Sequence, residues 1–132
     1  MPKPVLAFLA AALVLAPVAA PMLAFAATGE ELFINNCSAC HQPTGKGIPG
    51  AFPALAGNPF VQGPPELVIA TVLNGRGGMP TFKGDLDDAT LSAILSYVRS
   101  AWGNTAASVA AVDVAAVRSG TVAPAPRAIT AH

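Results

Sequence analysis

The sequence predicts an all-α domain of three to four short helices joined by long loops. Three observations carry that expectation. Leu91, Ile94, Leu95, Val98 and Trp102 recur at the 3.6-residue spacing of a helix with one buried face. Around residues 37–41 no strand-like alternation of apolar and polar residues is visible. Residues 42–65 are so dense in proline and glycine that they cannot form a long helix, and few strands would survive there. At 132 residues, 53% of them hydrophobic, the chain has room for one small domain.

Taken in order, the chain opens with Met1-Pro2-Lys3-Pro4, an apolar run from Val5 to Leu15, Pro17, Pro21 and Ala24-Phe25-Ala26. A basic start, an apolar stretch and a small-residue site make a secretory leader, with cleavage expected after Ala26. Val5 to Ala27 is also long enough to cross a bilayer as an uncleaved anchor, but the two prolines and the small-residue site favour removal. The expected organisation is thus a leader over 1–26, a domain over 27–104 and an Ala/Val/Pro-rich extension over 105–132. Thr28 or Gly29 starts a first helix through Ile34, with Glu30 and Glu31 in the first turn where the helix dipole favours carboxylates. That helix runs into Cys37-Ser38-Ala39-Cys40-His41.

Beyond the Pro/Gly-rich loop, residues 66–74 form a helix entered by proline and stopped by Gly75. Residues 76–82 are loop again. Asp87 is an expected N-cap, with Leu86 as a hydrophobic staple against Leu91, and the helix it opens runs to Gly103-Asn104. One or two further turns are expected over Asp113 to Arg118, docked on the domain, with the last eight or nine residues mobile.

The chemistry sits in Cys37-x-x-Cys40-His41. Residues three apart share a helix face, so two thiols can meet two vinyl groups of one porphyrin while the adjacent imidazole turns toward the iron. This is the attachment pattern of one covalent haem c. A zinc site would need a second ligand pair, and the only other histidine is His132, the last residue. A redox dithiol would want a βαβ setting. A disulfide this short would close almost no loop and add little stability. Export fits the haem reading, since no cysteine remains for a disulfide.

Haem iron held by one imidazole needs a sixth ligand or keeps an open site. Met1 and Met22 leave with the leader, so Met79 is the one thioether of the mature chain. It stands in Gly77-Gly78-Met79-Pro80, where glycine lets backbone approach a planar ligand and proline stiffens the exit. His41 and Met79 are therefore the expected metal ligands. Lys46 and Lys83 would first have to lose a proton. Arg76 beside this loop is a candidate partner for a haem propionate, and Tyr97 or Trp102 a candidate donor to one.

These residues resemble a small monohaem bacterial cytochrome c of the His/Met type, the all-helical family that includes mitochondrial cytochrome c. The resemblance covers about Gly29 to Asn104 and rests on Cys37-x-x-Cys40-His41, Pro53-Ala54-Leu55, Gly78-Met79-Pro80 and Tyr97-Val98-Arg99. It implies a cytochrome c fold wrapped around one covalent haem, with the Pro53 carbonyl accepting a hydrogen bond from the His41 ring. It also implies that Gly29 and Phe33 meet Ile94 and Tyr97 where the first and last helices cross. Only 37 residues separate His41 from Met79, fewer than in the mitochondrial branch, and the lysine-rich docking face of that branch is missing. Residues 74–80 and 97–104 are similar to bacterial cytochromes serving periplasmic dehydrogenases or oxidases.

The expected function is single-electron transport in the periplasm, by a carrier and not an enzyme. The donor would be a dehydrogenase or quinol-oxidising complex, and the acceptor a terminal oxidase or reductase. The alternative is the same domain as the cytochrome subunit of a dehydrogenase complex; an open-site haem enzyme or gas sensor ranks third. No nucleophile stands beside a base. Seven basic residues balance seven acidic ones, which excludes the basic stripe that nucleic acid demands. Contact with a membrane would come only through a partner or an uncleaved leader.

Overall fold

The computed structural model describes Met1 and residues 26–122. The expected leader, apart from Met1 and Ala26, and the tail from residue 123, including His132, lie outside the described residues. Five helices follow in order: α1 Gly29–Asn36, α2 Ser38–His41, α3 Pro65–Asn74, α4 Asp88–Ser100 and α5 Ala111–Arg118. Among the described residues the only β-pairings are two isolated bridges, Ile48 with Phe52 and Arg76 with Met79. None of these helices is long and apolar enough to cross a membrane.

α1, α3 and α4 start where the sequence offers a cap or a proline. At α1 the Thr28 hydroxyl accepts from the Glu31 amide at 3.2 Å while the Glu31 carboxylate accepts from the Thr28 amide at 2.8 Å, a reciprocal capping box. Hydrogen bonds from the Thr28 backbone and then its hydroxyl hold the Glu31 carboxyl below its usual range. Pro65 opens α3, where its missing N–H costs no helical bond. Asp87 caps α4 by accepting from the Thr90 amide at 2.7 Å, with Leu86 and Leu91 both buried behind it.

α4 stops at Ser100, three residues before the glycine expected to end it. Ala101 is already extended, and Trp102 and Gly103 take φ of +52° and +86°. The chain thereby folds back, and Trp102 reaches the core from a turn. There it meets Phe33 with ring centroids 5.1 Å apart and Tyr97 at 5.3 Å, and Phe33 meets Tyr97 at 5.7 Å. These separations suit tilted and edge-on aromatic pairs.

The crossing of α1 over α4 depends on Gly29. A Cβ there would stand 2.4 Å from the Ala93 carbonyl oxygen and 3.0 Å from the Tyr97 Cβ. Phe33, Ile69, Leu73, Leu91 and Val114 are the largest fully buried side chains, so α1, α3, α4 and α5 share one core. α5 packs on both α3 and α4. Arg118 fixes its far end, donating to the Asp88 carboxylate at 2.7 Å, to the Leu86 carbonyl at 2.7 Å and to the Lys83 carbonyl.

Candidate haem site

The C-x-x-C-H stretch is a break and a restart. Cys37 ends α1, its amide donating to Phe33, and its own carbonyl then accepts from the amides of Cys40 and His41 at 3.2 and 3.0 Å. That single turn brings Cys37, Cys40 and His41 together. Gln42 ends it at φ +63°. Both cysteines are free thiols and half-buried, and burial, followed by the neighbouring Cys40, pushes the Cys37 thiol up to about 11.

His41 is 9% exposed, and its Nδ1 lies 3.0 Å from the Pro53 carbonyl oxygen. A carbonyl only accepts, so Nδ1 carries the proton and the lone pair is left on Nε2. The loop that presents Pro53 is closed by backbone bonds. Gly47 donates to the His41 carbonyl at 3.0 Å, Ile48 and Phe52 pair, and the amides of Leu55 and Ala56 both donate to the Gly45 carbonyl. Gly47 sits at φ +61°, where a Cβ would lie 2.4 Å from the Phe52 oxygen and 2.6 Å from that of Pro53. Any side chain at Gly47 would displace the acceptor of the imidazole proton.

Met79 lies in a two-residue hairpin. The Met79 amide donates to Arg76 at 3.0 Å, and the Arg76 amide donates back at 3.2 Å. Gly77 takes the φ of +58° that a mirror-image turn needs at its first central residue. Gly75, at φ +74°, leaves room for the returning strand, since a Cβ there would be 2.6 Å from the Met79 oxygen. Beyond the turn the Thr81 hydroxyl donates to the Leu73 carbonyl at 2.6 Å and the Phe82 amide to Val72 at 3.1 Å, which staples the loop to the end of α3.

The structure thus joins His41 to Pro53 and Arg76 to Met79. Among the described residues no hydrogen bond links the His41 segment to the Met79 loop. Phe60 touches the latter, with the Arg76 guanidinium 5.5 Å from its ring centroid. The Tyr97 hydroxyl is engaged by Glu30, and burial followed by that carboxylate raises it above its usual range. Trp102 lies over Gly45, where a Cβ would be 2.4 Å from the indole. Ile48 and Phe52 keep 42% and 36% of their surface exposed, and Ala51 is exposed beside them. Phe60 and Phe82 are half-buried.

Gly47, Thr81, Arg99 and Asn104 were not signalled by the sequence as parts of this frame. Gly45-Lys46-Gly47 hinted at a tight backbone approach. The other three bond carbonyls distant in sequence, which no local pattern reveals.

The donor set fits a c-type haem. Two free thiols stand three apart, followed by an imidazole whose Nδ1 is taken by the Pro53 carbonyl, and a thioether is held between glycine and proline. Among the described residues no three His, Cys, Asp or Glu side chains group as a site for a bare metal ion, so Cys37, Cys40 and His41 are not arranged as a zinc centre.

Comparison with known proteins agrees with this chemistry. The family model described as subunit III of cbb3-type cytochrome c oxidase matches residues 24–98. The cytochrome c subunit of the quinone alcohol dehydrogenase of Gluconobacter oxydans is 34% identical over 103 residues, covering 68% of this chain and 22% of that protein. The cbb3-type oxidase subunit FixP of Bradyrhizobium diazoefficiens is 43% identical over 82 residues, 59% of this chain and 28% of its own. Cytochrome c-552 of Thermus thermophilus is 34% identical over 93 residues, 59% of this chain and 70% of its own. The chain therefore spans less than a third of the dehydrogenase and FixP subunits. The helical fold, the C-x-x-C-H turn and these matches place the chain in the cytochrome c family, as an electron-transfer domain that carries covalent haem c.

Proposed function

We propose that this chain is exported to the periplasm and carries single electrons there between redox proteins. In this reading Cys37 and Cys40 would anchor the haem as thioethers, and His41 and Met79 would hold its iron. The Pro53 carbonyl orients His41, and Arg76 pairs with a propionate. The observation that carries it is the His41 Nδ1 to Pro53 contact of 3.0 Å on a C-x-x-C-H turn. It holds the ring in the one tautomer whose Nε2 can bind iron, and the bond makes that nitrogen more basic.

When bound, the haem supplies a one-electron Fe(II)/Fe(III) couple. The chain's residues keep its surroundings constant. Backbone pairing across residues 76–79 and the Thr81 and Phe82 staples hold the thioether in place, and the Gly45 and Gly47 bonds hold the imidazole. A thioether opposite an imidazole raises the potential relative to two imidazoles. With both axial positions taken by protein, ligand exchange at the iron is disfavoured. Ile48, Ala51, Phe52, Phe60 and Phe82 form the apolar rim through which a partner docks, over a contact below roughly 1,200 Å² in total.

The leader motif over 1–26 supports export, and cytochrome c-552, matched over 70% of its length, supports a free carrier. A second reading, the cytochrome subunit of a larger complex, is favoured by the dehydrogenase and oxidase subunits among the relatives. Mass spectrometry of material recovered from the periplasm tests export and attachment together. The expected mass is that of residues 27–132 plus one haem, and a haem-free or leader-bearing mass would refute the reading. Carbon monoxide should leave the reduced spectrum almost unchanged, whereas ready binding would point to an open site. Co-purification with a dehydrogenase or oxidase subunit separates the second reading from the first.

A further inference from the structure

The turn that follows α4 reaches back to the loop that orients the axial imidazole. Asn104 is 3% exposed, and both ends of its amide are hydrogen-bonded. Its Nδ2 donates to the Val98 carbonyl at 2.8 Å, the last full turn of α4, and to the Leu55 carbonyl at 3.0 Å. Its Oδ1 accepts from the Gly57 amide at 2.9 Å. Leu55 stands two residues after Pro53, and its amide, with that of Ala56, is already tied to Gly45. Trp102 covers Gly45 from the same turn.

The segment from Gly45 to Gly57 is therefore clamped at both ends by two residues of one turn, and Pro53 lies inside the clamp. That turn is itself fixed by left-handed φ at Trp102 and Gly103 and by the Asn104 amide donating to Ala101 at 2.9 Å.

We infer that Asn104 is a positioning residue for the axial imidazole, setting through Leu55 and Gly57 where the Pro53 carbonyl meets the His41 Nδ1 proton. The inference rests on His41 as an iron ligand. Asn104 makes its side-chain bonds to Gly57, Leu55 and Val98 and none to the imidazole, so it acts through the loop. Removing it leaves the Val98 carbonyl and the Gly57 amide without this side chain, and the Leu55 carbonyl with only the Asn58 amide at 3.3 Å. The loop then relaxes, the Nδ1 hydrogen bond lengthens, and the ring becomes a weaker base. A weaker base favours Fe(II), so the midpoint potential rises.

The test compares haem-loaded Asn104→Ala and Asn104→Ser with Val114→Ala, a cavity variant in α5 chosen for a similar loss of melting temperature. Two quantities are read: the midpoint potential, and the exchange rate of the His41 Nδ1 proton relative to the α4 amides by NMR. The inference expects Asn104→Ala to raise the potential and to speed Nδ1 exchange at least tenfold relative to α4. Asn104→Ser, whose hydroxyl can donate to only one of the two carbonyls, should give a smaller change of the same sign and covers the case in which the alanine variant does not fold. Val114→Ala should change neither. Potentials and relative exchange in the Asn104 variants that match those of Val114→Ala would overturn the inference while leaving His41 ligation intact. An unmodified protein whose haem spectrum lacks low-spin histidine ligation would overturn both.

Discussion

Gly29→Ala sets two effects of opposite sign against each other. As a helix residue, alanine is better than glycine by about 1 kcal/mol, so α1 considered alone predicts a gain. The structure predicts a loss. The added Cβ would lie 2.4 Å from the Ala93 carbonyl oxygen, 3.1 Å from its carbon and 3.0 Å from the Tyr97 Cβ. Two of those atoms are helix backbone and cannot swing aside, so α1 and α4 must part by roughly 1 Å, forfeiting a quarter to a half of the dispersion attraction across their contact. Phe33, fully buried between Tyr97 and Trp102, bears most of that loss. Overpacking of this kind costs about 1–3 kcal/mol, and the 2.4 Å approach to a backbone oxygen sets this site at the upper end, which leaves a net destabilisation of up to about 2 kcal/mol after the propensity gain. For a domain of this size that is a fall in Tm of up to roughly 15 °C. Thermal unfolding of the haem-loaded protein, followed by circular dichroism, measures it. Gly84→Ala is the control, since nothing lies within 4 Å of a Cβ there and its φ is not left-handed. A Gly29→Ala melting temperature equal to or above that of Gly84→Ala would refute the reasoning about the helix crossing.

Three other perturbations follow from the same physics. Asp87→Ala removes the α4 cap, and its cost should depend on pH. The bonds from Thr90, backbone first, hold the Asp87 carboxyl below its ordinary value of 3.8. Its contribution is therefore present above that value and lost as pH falls through the lower folded value; melting temperatures of variant and parent should differ from pH 6 down to about 4 and converge only as pH falls below 3.8, and a constant difference would contradict this. Arg118→Met keeps the aliphatic stem but drops the bonds to Asp88, Leu86 and Lys83. It should cost about 1–3 kcal/mol in denaturant unfolding and speed hydrogen exchange in α5 ahead of α4. For a chain with a formal charge of zero, association with a redox partner should change less than tenfold between roughly 10 and 200 mM salt; a steep fall would contradict an apolar docking rim.

What the sequence disclosed and what it withheld divide along a physical line. The cap at Asp87, the proline entry to α3 and the buried stripe of α4 were legible because they are local, set by residues within one or two turns. Gly29 and Phe33 facing Ile94 and Tyr97 was legible only through family resemblance, and the close approach of Gly29 to Ala93 and Tyr97 gives it a steric cause. The early end of α4 was not legible. Trp102 continues the 3.6-residue period, so its packing mimics one more helical turn although its φ is +52°. The pause at Cys37 between α1 and α2 was hidden in the same way, because the apolar pattern runs through it.

At the site, donor chemistry stands out in a short sequence: one C-x-x-C-H, and one methionine beyond residue 26. The frame around it does not. Arg99 is 4% exposed and donates to Val61, Gly63 and Ala107 carbonyls, yet on a helical wheel it reads as a charged residue at the helix end. Such residues bind backbone carbonyls, and a carbonyl belongs to every residue, so nothing in the composition marks the partner.

The central claim is that one iron is held between the His41 nitrogen and the Met79 sulfur. The near-infrared spectrum of the oxidised, haem-loaded protein tests it directly, because a sulfur ligand on ferric haem gives a sulfur-to-iron charge-transfer band and, with both cysteines bound to the porphyrin, Met79 is the sulfur left to give it. The account predicts the band in the unmodified protein and its loss in Met79→Ala, with a lower midpoint potential. A band that survives the substitution, or one missing from the unmodified protein, would contradict it.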